Sequence, residues 1–78
     1  MERQRLAQYL DLAEQYVAEA RELVHRQLLL VAQMDESGVD SSFAREALHL
    51  LEQSLLLATE ERDRLLLDAA KASGTHRI

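Results

Sequence analysis

The sequence predicts an all-α fold, an antiparallel hairpin of two long helices that dimerises into an elongated four-helix bundle. Apolar residues recur with a helical period on both sides of one short interruption, Ser37 to Asp40. The composition is 47% apolar but only 4% aromatic, so the core is built from Leu, Val and Ala. A chain of 78 residues without cysteine buries little surface alone and has no disulfide to hold it. Packing against another chain, most simply a second copy, is therefore expected to supply the missing burial.

The first helix is predicted from about residue 3 to residue 37, within a single domain over residues 1–72. Its apolar side chains fall in two columns with a spacing of seven, which is typical of a coiled-coil seam. The columns are Leu6, Ala13, Ala20, Gln27 and Met34, and Leu10, Val17, Val24 and Val31. A third column widens the apolar stripe beyond ~100°, so this helix contacts more than one neighbour. Its members are Tyr9, Tyr16, Leu23 and Leu30.

The interruption at residues 37–40 has the residue types of a helix end followed at once by a helix start. Gly38 is predicted to adopt the left-handed conformation just past the first helix, because it has no Cβ. Val39 is expected to contact the last turn of that helix and the first turn of the next. Asp40 is the predicted N-cap of the second helix, with Ser41 as the alternative.

The second helix is predicted from about residue 41 to residue 72, followed by a frayed tail at residues 73–78. Its seam alternates spacings of four and three, through Ala44, Leu48, Leu51, Leu55, Ala58, Arg62, Leu65 and Ala69. A second apolar group lies beside this seam and again requires more than one partner helix. The group is Phe43, Ala47, Leu50 and Leu57. A short turn makes the helices antiparallel, and the expected pairs are Met34 with Ala44, Val24 with Leu55, and Leu10 with Ala69.

Two polar residues, Gln27 and Arg62, occupy seam positions. A single polar residue in a coiled-coil seam can specify register and oligomeric state. We favour the alternative that both side chains reach past the seam, because a long apolar stem allows this without burying the polar end. Arg62 is expected to extend past Tyr16 toward Glu19, and Gln27 to reach Ser54 or solvent.

Charge limits the possible functions. Lys and Arg number 9 against 14 Asp and Glu, and the net charge of −5 disfavours nucleic-acid binding. The longest apolar runs, Leu28 to Ala32 and Leu55 to Ala58, are far shorter than the ~20 residues that cross a bilayer. The N-terminal residues lack the apolar segment of a signal peptide. We expect a soluble, cytoplasmic protein with no membrane or nucleic-acid partner.

A pair of Glu-x-x-His motifs is the strongest candidate for chemistry. Glu22 and His25, and Glu46 and His49, have the spacing that binds metal in di-iron four-helix bundles. At ~100° per residue, however, both motifs lie on the outer sides of their helices, and the expected register staggers them by about one turn. We therefore predict no metal site within one hairpin. The alternative is a ferritin-like metal-binding bundle assembled across subunits.

No other motif indicates catalysis. The serines near the turn have no histidine positioned as a base, and Gly38 and Gly74 do not form a phosphate-binding loop. The sequence predicts ion pairs on solvated helix faces between Glu22 and Arg26, and between Glu60 and Arg64. We expect a protein that is not an enzyme and has no catalytic, cofactor-binding or metal-binding residues.

Three segments around and after the turn carry a resemblance. They are Gly38-Val39-Asp40-Ser41-Ser42, then Ala44-Arg45-Glu46 with Leu48, Leu51 and Glu52, then Arg62-Asp63-Arg64-Leu65-Leu66. These segments resemble a group of short, uncharacterised bacterial helical-hairpin proteins. The resemblance covers mostly the second half of the chain, and Thr59-Glu60-Glu61 stands where a histidine is expected just before the last segment. It implies a stand-alone cytoplasmic hairpin of unknown role.

The pattern as a whole favours a non-catalytic oligomerisation or adaptor module that acts as a homodimer. Leu30, Leu50 and Leu57 are expected to contribute to the second interface. Leu29, Leu56 and Leu67 lie near the outer faces and offer a further subunit contact or a patch for another protein. A third hypothesis is a regulator that binds a helix of another protein in the groove of the hairpin.

Overall fold

A computed structural model describes residues 2–74 of the protein, with side chains from residue 3 to residue 72. It contains helix α1, Glu2–Glu36, and helix α2, Ser42–Gly74, and residues 2–74 include no strand. The two helices pack along their lengths in a rod of 63 × 16 × 14 Å. The predicted all-α helical hairpin is therefore confirmed.

The helix ends lie within two residues of the positions predicted from the sequence. Helix α1 ends at Glu36 instead of Ser37, and α2 begins at Ser42 instead of Ser41. The backbone of residues 73–74, which the sequence assigns to a frayed tail, continues α2. The rest of that predicted tail, residues 75–78, lies outside the described residues.

The chain leaves α1 through a left-handed glycine, as predicted. Gly38 has φ 71°, a conformation that costs residues with a Cβ atom ~1–2 kcal/mol. The amide of Val39 donates to the Met34 carbonyl at 2.9 Å, and the amide of Gly38 to the Asp35 carbonyl at 3.2 Å. These two bonds form a Schellman motif, which satisfies carbonyls that the helix end would otherwise leave without partners.

The start of α2 differs from the prediction by one residue. The first helical bond runs from the amide of Arg45 to the carbonyl of Ser41 at 2.8 Å, so Ser41 holds the N-cap position. Asp40 precedes the cap and accepts hydrogen bonds through Oδ1 from the amide of Ser42 at 3.0 Å and from its hydroxyl at 2.6 Å. Ser41, the alternative in the sequence analysis, is therefore the N-cap, and Ser42 is the first helical residue.

A polar network ties the end of α1 to the first turn of α2. The buried hydroxyl of Ser41 donates to Oδ1 of Asp35 at 2.7 Å and accepts from Nε of Arg45 at 2.9 Å. The Arg45 guanidinium also forms an ion pair with Asp35. We call Asp35, Ser41 and Arg45 the turn network. It gives the buried hydroxyl both a donor and an acceptor, as a buried polar group requires.

The predicted seam lies between the helices. Its buried apolar members are Ala13, Val17, Val31 and Ala44. Two helices cover only one side of a seam, so its other members stay half-buried and the core is small. These half-buried members are Leu6, Leu10, Ala20, Val24, Gln27, Met34, Leu48, Leu51, Leu55, Ala58, Arg62, Leu65 and Ala69.

The register across the seam differs from the predicted one by about one helical turn. Nε2 of Gln27 donates to the carbonyl of Ala44 at 2.9 Å, whereas the sequence pairs Met34 with Ala44. Both this contact and the grouping of Ala13 with α2 residues 58–65 in one groove fit a different register. That register pairs Val31 with Ala44, Val24 with Leu51, Val17 with Ala58, and Leu10 with Leu65.

The turn lies outside both helices, so helical spacing does not fix the register across it. Residues 37–41 belong to neither helix. A non-helical residue advances the chain by up to ~3.3 Å, against ~1.5 Å for a helical residue. Equal helical spacing on both sides of the turn therefore does not predict which residue of α2 reaches a given level of α1.

The polar seam residues also find partners other than the expected ones. Gln27 binds the Ala44 carbonyl instead of Ser54 or solvent. Nε and Nη2 of Arg62 both donate to Oδ1 of Asp63, at 3.1 and 2.9 Å, so its guanidinium is not directed at Glu19. Among the described residues, no buried side-chain polar atom lacks a hydrogen-bond partner. Neither residue therefore carries the cost of an unsatisfied buried group.

Replacing Gly38 tests the turn geometry. Gly38→Ala is expected to lower the free energy of unfolding by about 1 kcal/mol, because alanine is strained at positive φ. The space around Gly38 is open, so the loss reports backbone strain alone. Gly38→Asn is the control, because asparagine tolerates this conformation. Urea unfolding at one protein concentration measures both variants, and equal losses would contradict the left-handed turn.

The pKa of Asp40 tests the start of α2. Hydrogen bonds from the Ser42 hydroxyl and then from the Ser42 amide hold this pKa below the ordinary value of 3.8. A depressed pKa in the folded state means that the contribution of Asp40 to stability is present above the unfolded-state pKa. That contribution is lost as the pH falls through the folded-state value. NMR titration is expected to show that Ser42→Ala raises the pKa of Asp40, whereas Ser37→Ala leaves it unchanged. An unchanged pKa in Ser42→Ala would contradict the hydrogen bond from the Ser42 hydroxyl to Asp40.

Candidate functional site

Exposed apolar side chains form one column on each helix, beside the seam. On α2, Phe43 is 88% exposed, and Leu50 and Leu57 are 63% and 65% exposed. On α1, the exposed fractions range from 43% to 64% in the column Tyr9, Tyr16, Leu23 and Leu30. A spacing of seven keeps each column on one side of its helix. These are the residues that the sequence places beside the seam and assigns to a second contact.

The two columns lie on the same side of the hairpin. Tyr9 and Tyr16 line a shallow groove together with α2 residues that include Glu61. Glu61 and Ala47 are separated by two heptads, so Ala47 also faces the side of the tyrosines. The residues four before and three after Ala47 are its neighbours on the helix surface. We call the combined set the apolar face: Tyr9, Leu12, Tyr16, Leu23 and Leu30 of α1, and Phe43, Ala47, Leu50 and Leu57 of α2.

Leu12 is a member of the apolar face that the sequence pattern did not identify. It is exposed and lines the same groove as Tyr9 and Tyr16. It does not belong to a column of seven, because its heptad equivalents Arg5 and Glu19 are charged. Its position three residues after Tyr9 and four before Tyr16 is the signal that places it on this surface.

The opposite side of the hairpin carries the ion pairs and polar contacts, together with the exposed leucines Leu28, Leu56 and Leu66. The ion pair between Asp35 and Arg45 joins the two helices there, and Arg45 points away from Phe43 because two helical residues differ by ~200°. Asp63 lies five turns beyond Arg45 in the same direction and accepts the hydrogen bonds of Arg62. The charged group of Arg62 is therefore turned away from the apolar face.

The exposed area is large for a chain of this size. A compact monomer of 8.9 kDa exposes about 4,800 Å² on the usual scaling with mass, but this chain exposes 6428 Å². Its radius of gyration is 17.9 Å, against about 11–12 Å for a compact domain of the same length. The single hairpin is thus an extended object with one uncovered apolar side.

Charges border the apolar face at the end away from the turn. Arg64 forms an ion pair with Glu61 at 2.6 Å, and not with the predicted partner Glu60. Residues three and four before an arginine are both its neighbours on a helix, so spacing alone does not choose between them. Asp68 and Lys71 continue this charged stretch one heptad further along α2. The predicted ion pair between Glu22 and Arg26, at 2.7 Å, is confirmed.

The outer leucines do not form a second apolar surface. Leu29, Leu56 and Leu67 are exposed, but they are spread along the length of the rod. In the register inferred from the Gln27–Ala44 hydrogen bond, Leu29 and Leu67 lie ~30 Å apart along the axis, at ~1.5 Å per residue. Isolated exposed leucines of this kind are normal on protein surfaces.

The Glu-x-x-His residues are exposed on the outer sides of the helices, as the sequence predicts. Glu22 pairs with Arg26, and His49 lies 3.3 Å from the amide nitrogen of Gln53. In the register inferred above, the midpoints of the two motifs lie about four helical residues, or ~6 Å, apart along the rod, which agrees with the predicted stagger of about one turn. Among the described residues, no group of three or more His, Cys, Asp or Glu side chains is placed to hold a metal ion.

Comparisons with known proteins do not assign this chain to a family. No protein-family model, no curated protein and no solved structure matches the chain. The resemblance to bacterial hairpin proteins therefore stays a prediction. Neither helix, within the described residues, combines the length and apolar character needed to cross a membrane.

Metal titration tests the Glu-x-x-His motifs directly. Isothermal titration with Zn(II), Mn(II) and Fe(II) is expected to show no stoichiometric binding, because the motifs do not converge on a common point. His25→Ala provides the control, since it removes a ligand that any metal site built from these motifs would need. One metal per chain or per dimer in the unaltered protein, lost in His25→Ala, would establish the metal-binding alternative.

Proposed function

We propose that the protein is a non-catalytic oligomerisation module, in which two hairpins pair through their apolar faces into an elongated four-helix bundle. The apolar face is the observation that carries the proposal. It runs along both helices on one side, while the turn network and the Arg62–Asp63 bond occupy the other side. An amphipathic hairpin of this kind completes its burial by packing against helices outside its own chain.

The area of the apolar face suits a dimer interface. At ~150–250 Å² for a fully exposed large side chain, its exposed fractions give on the order of 900 Å² per chain. A typical stable interface takes about 800 Å² from each partner, and the largest apolar patch on a monomer is usually about 300–600 Å². The face therefore exceeds what a monomer normally exposes and matches what a dimer buries.

The composition of the face also supports an interaction role. The chain contains two tyrosines, one phenylalanine and no tryptophan, and all three aromatic residues lie on the apolar face. Aromatic side chains are enriched in the buried centres of interfaces, where charged residues are depleted. The charges of this side are confined mainly to its edges and to the end away from the turn.

We place this module among cytoplasmic, non-enzymatic proteins. The polar groups of the turn are used in capping and in the turn network, and those on the outer helix faces form local ion pairs. No cofactor is needed for the proposed role. In this role, the protein acts by binding a second copy of itself and by presenting the surface of the completed bundle.

Two matched leucine substitutions test the interface. Leu50→Glu is expected to shift the protein from dimer to monomer at low micromolar concentration, because a charge on the apolar face is costly to bury. Leu56→Glu is the control, since Leu56 is 58% exposed on the same helix but outside the apolar face. Sedimentation velocity measures the mass, and circular dichroism measures the helix content of the same samples.

A folded monomer of the unaltered protein would contradict the dimer. Equal effects of the two substitutions would contradict the assignment of the interface to the apolar face. Loss of helix in Leu50→Glu that recovers at higher protein concentration would support coupled folding and assembly.

A further inference from the structure

We infer that the two hairpins of the dimer pack with their turns at the same end. This inference rests on the proposed function, which states that two apolar faces meet but not in which direction. The partner is a second copy of this chain. The arrangement of the apolar columns along the rod and the position of the charges carry the inference.

The columns of the two helices match each other level by level. The register inferred from the Gln27–Ala44 hydrogen bond and the groove around Ala13 pairs Val31 with Ala44 and Val17 with Ala58. Each residue of one column therefore lies close to the level of one residue of the other. Each α2 residue lies about two helical positions, or ~3 Å, nearer the turn than its α1 counterpart. The matching levels are Leu30 with Phe43, Leu23 with Leu50, Tyr16 with Leu57, and Tyr9 with Arg64.

A closed dimer has a two-fold axis, and two such axes bring the apolar faces together. In the first arrangement the axis runs along the rod and the turns lie at the same end. Helix α1 of each chain then faces α2 of the partner at the same level. Side chains at matching levels then contact each other across the interface. Leu30 packs against Phe43 of the partner subunit, and Leu23 packs against Leu50 of the partner subunit.

The charged end of the face also finds partners in this arrangement. Tyr9 lies beside Arg64 of the partner subunit, where a guanidinium can stack on the aromatic ring. Arg5 lies near the level of Asp68 of the partner subunit, so opposite charges meet at the open end. Because the two-fold axis relates the two chains, each of these contacts forms twice in the dimer.

The second arrangement places the turns at opposite ends, and each helix then faces its own copy. Helix α2 suits this poorly, because its apolar column ends at Leu57 and the next two heptads place Arg64 and Lys71 on the same side. Centring the two rods on each other puts Phe43 of each chain over the charged half of the partner's α2. Centring them on Leu50 corrects this mismatch, but it moves Tyr9 and Leu12 beyond the partner's turn.

Distances between spin labels distinguish the two directions. The chain contains no cysteine, so a single introduced cysteine carries the only label in each chain. Ser37→Cys places the label at the turn, and Gln8→Cys places it near the open end. Neighbouring helices lie ~8–10 Å apart, so both labels are expected to give distances below about 35 Å with the turns together. With the turns apart, each pair would be separated by much of the 63 Å length of the rod.

A third label separates failure of the direction from failure of the dimer. Gln53→Cys lies near the middle of the rod and gives an intermediate distance in both arrangements. One outcome would overturn the turn-to-turn arrangement but not the dimer. It is a measurable label-to-label distance for Gln53→Cys together with long distances for both Ser37→Cys and Gln8→Cys. The absence of a dipolar signal at all three positions, with a monomer mass, would overturn the proposed function itself.

Discussion

The reversal of the chain between Asp35 and Arg45 is the constraint on which the rest of the structure depends. A seam of leucines, valines and alanines with a spacing of seven repeats itself, so it packs nearly as well after a slip of one heptad. The turn removes this freedom. The left-handed conformation of Gly38 ends α1, and the turn network attaches the first turn of α2 to the last turn of α1. One register remains, and it decides which side chains share a level along the rod.

The same constraint gives the hairpin two different sides. The ion pair of the turn network and the Arg62–Asp63 bond both lie on the side opposite Phe43, so polar contacts accumulate there. The side-chain amide of Gln27 donates a hydrogen bond to the backbone carbonyl of Ala44 within the seam. The other side keeps large apolar residues without a partner in the chain. Stability and interaction are thereby divided between two surfaces of one small molecule.

Helical periodicity was sufficient to predict the two helices, both seam columns and the left-handed glycine. These features depend on local spacing and on the backbone preference of one residue type. The register was not predictable in this way, because residues 37–41 belong to neither helix and do not advance by the helical rise. Nor did spacing identify the partners of Arg62 and Arg64, since several carboxylates lie within reach of a long side chain. Leu12 was missed because its heptad equivalents are charged.

The confinement of all three aromatic residues to the apolar face has an optical consequence. Backbone circular dichroism reports on the helices and therefore on the seam between α1 and α2. Tyrosine emission arises only from Tyr9 and Tyr16, because the chain has no tryptophan, and both rings lie outside the seam. The two signals thus follow different events, the closing of the hairpin and the covering of its exposed side. The molecule carries separate intrinsic probes for folding and for association.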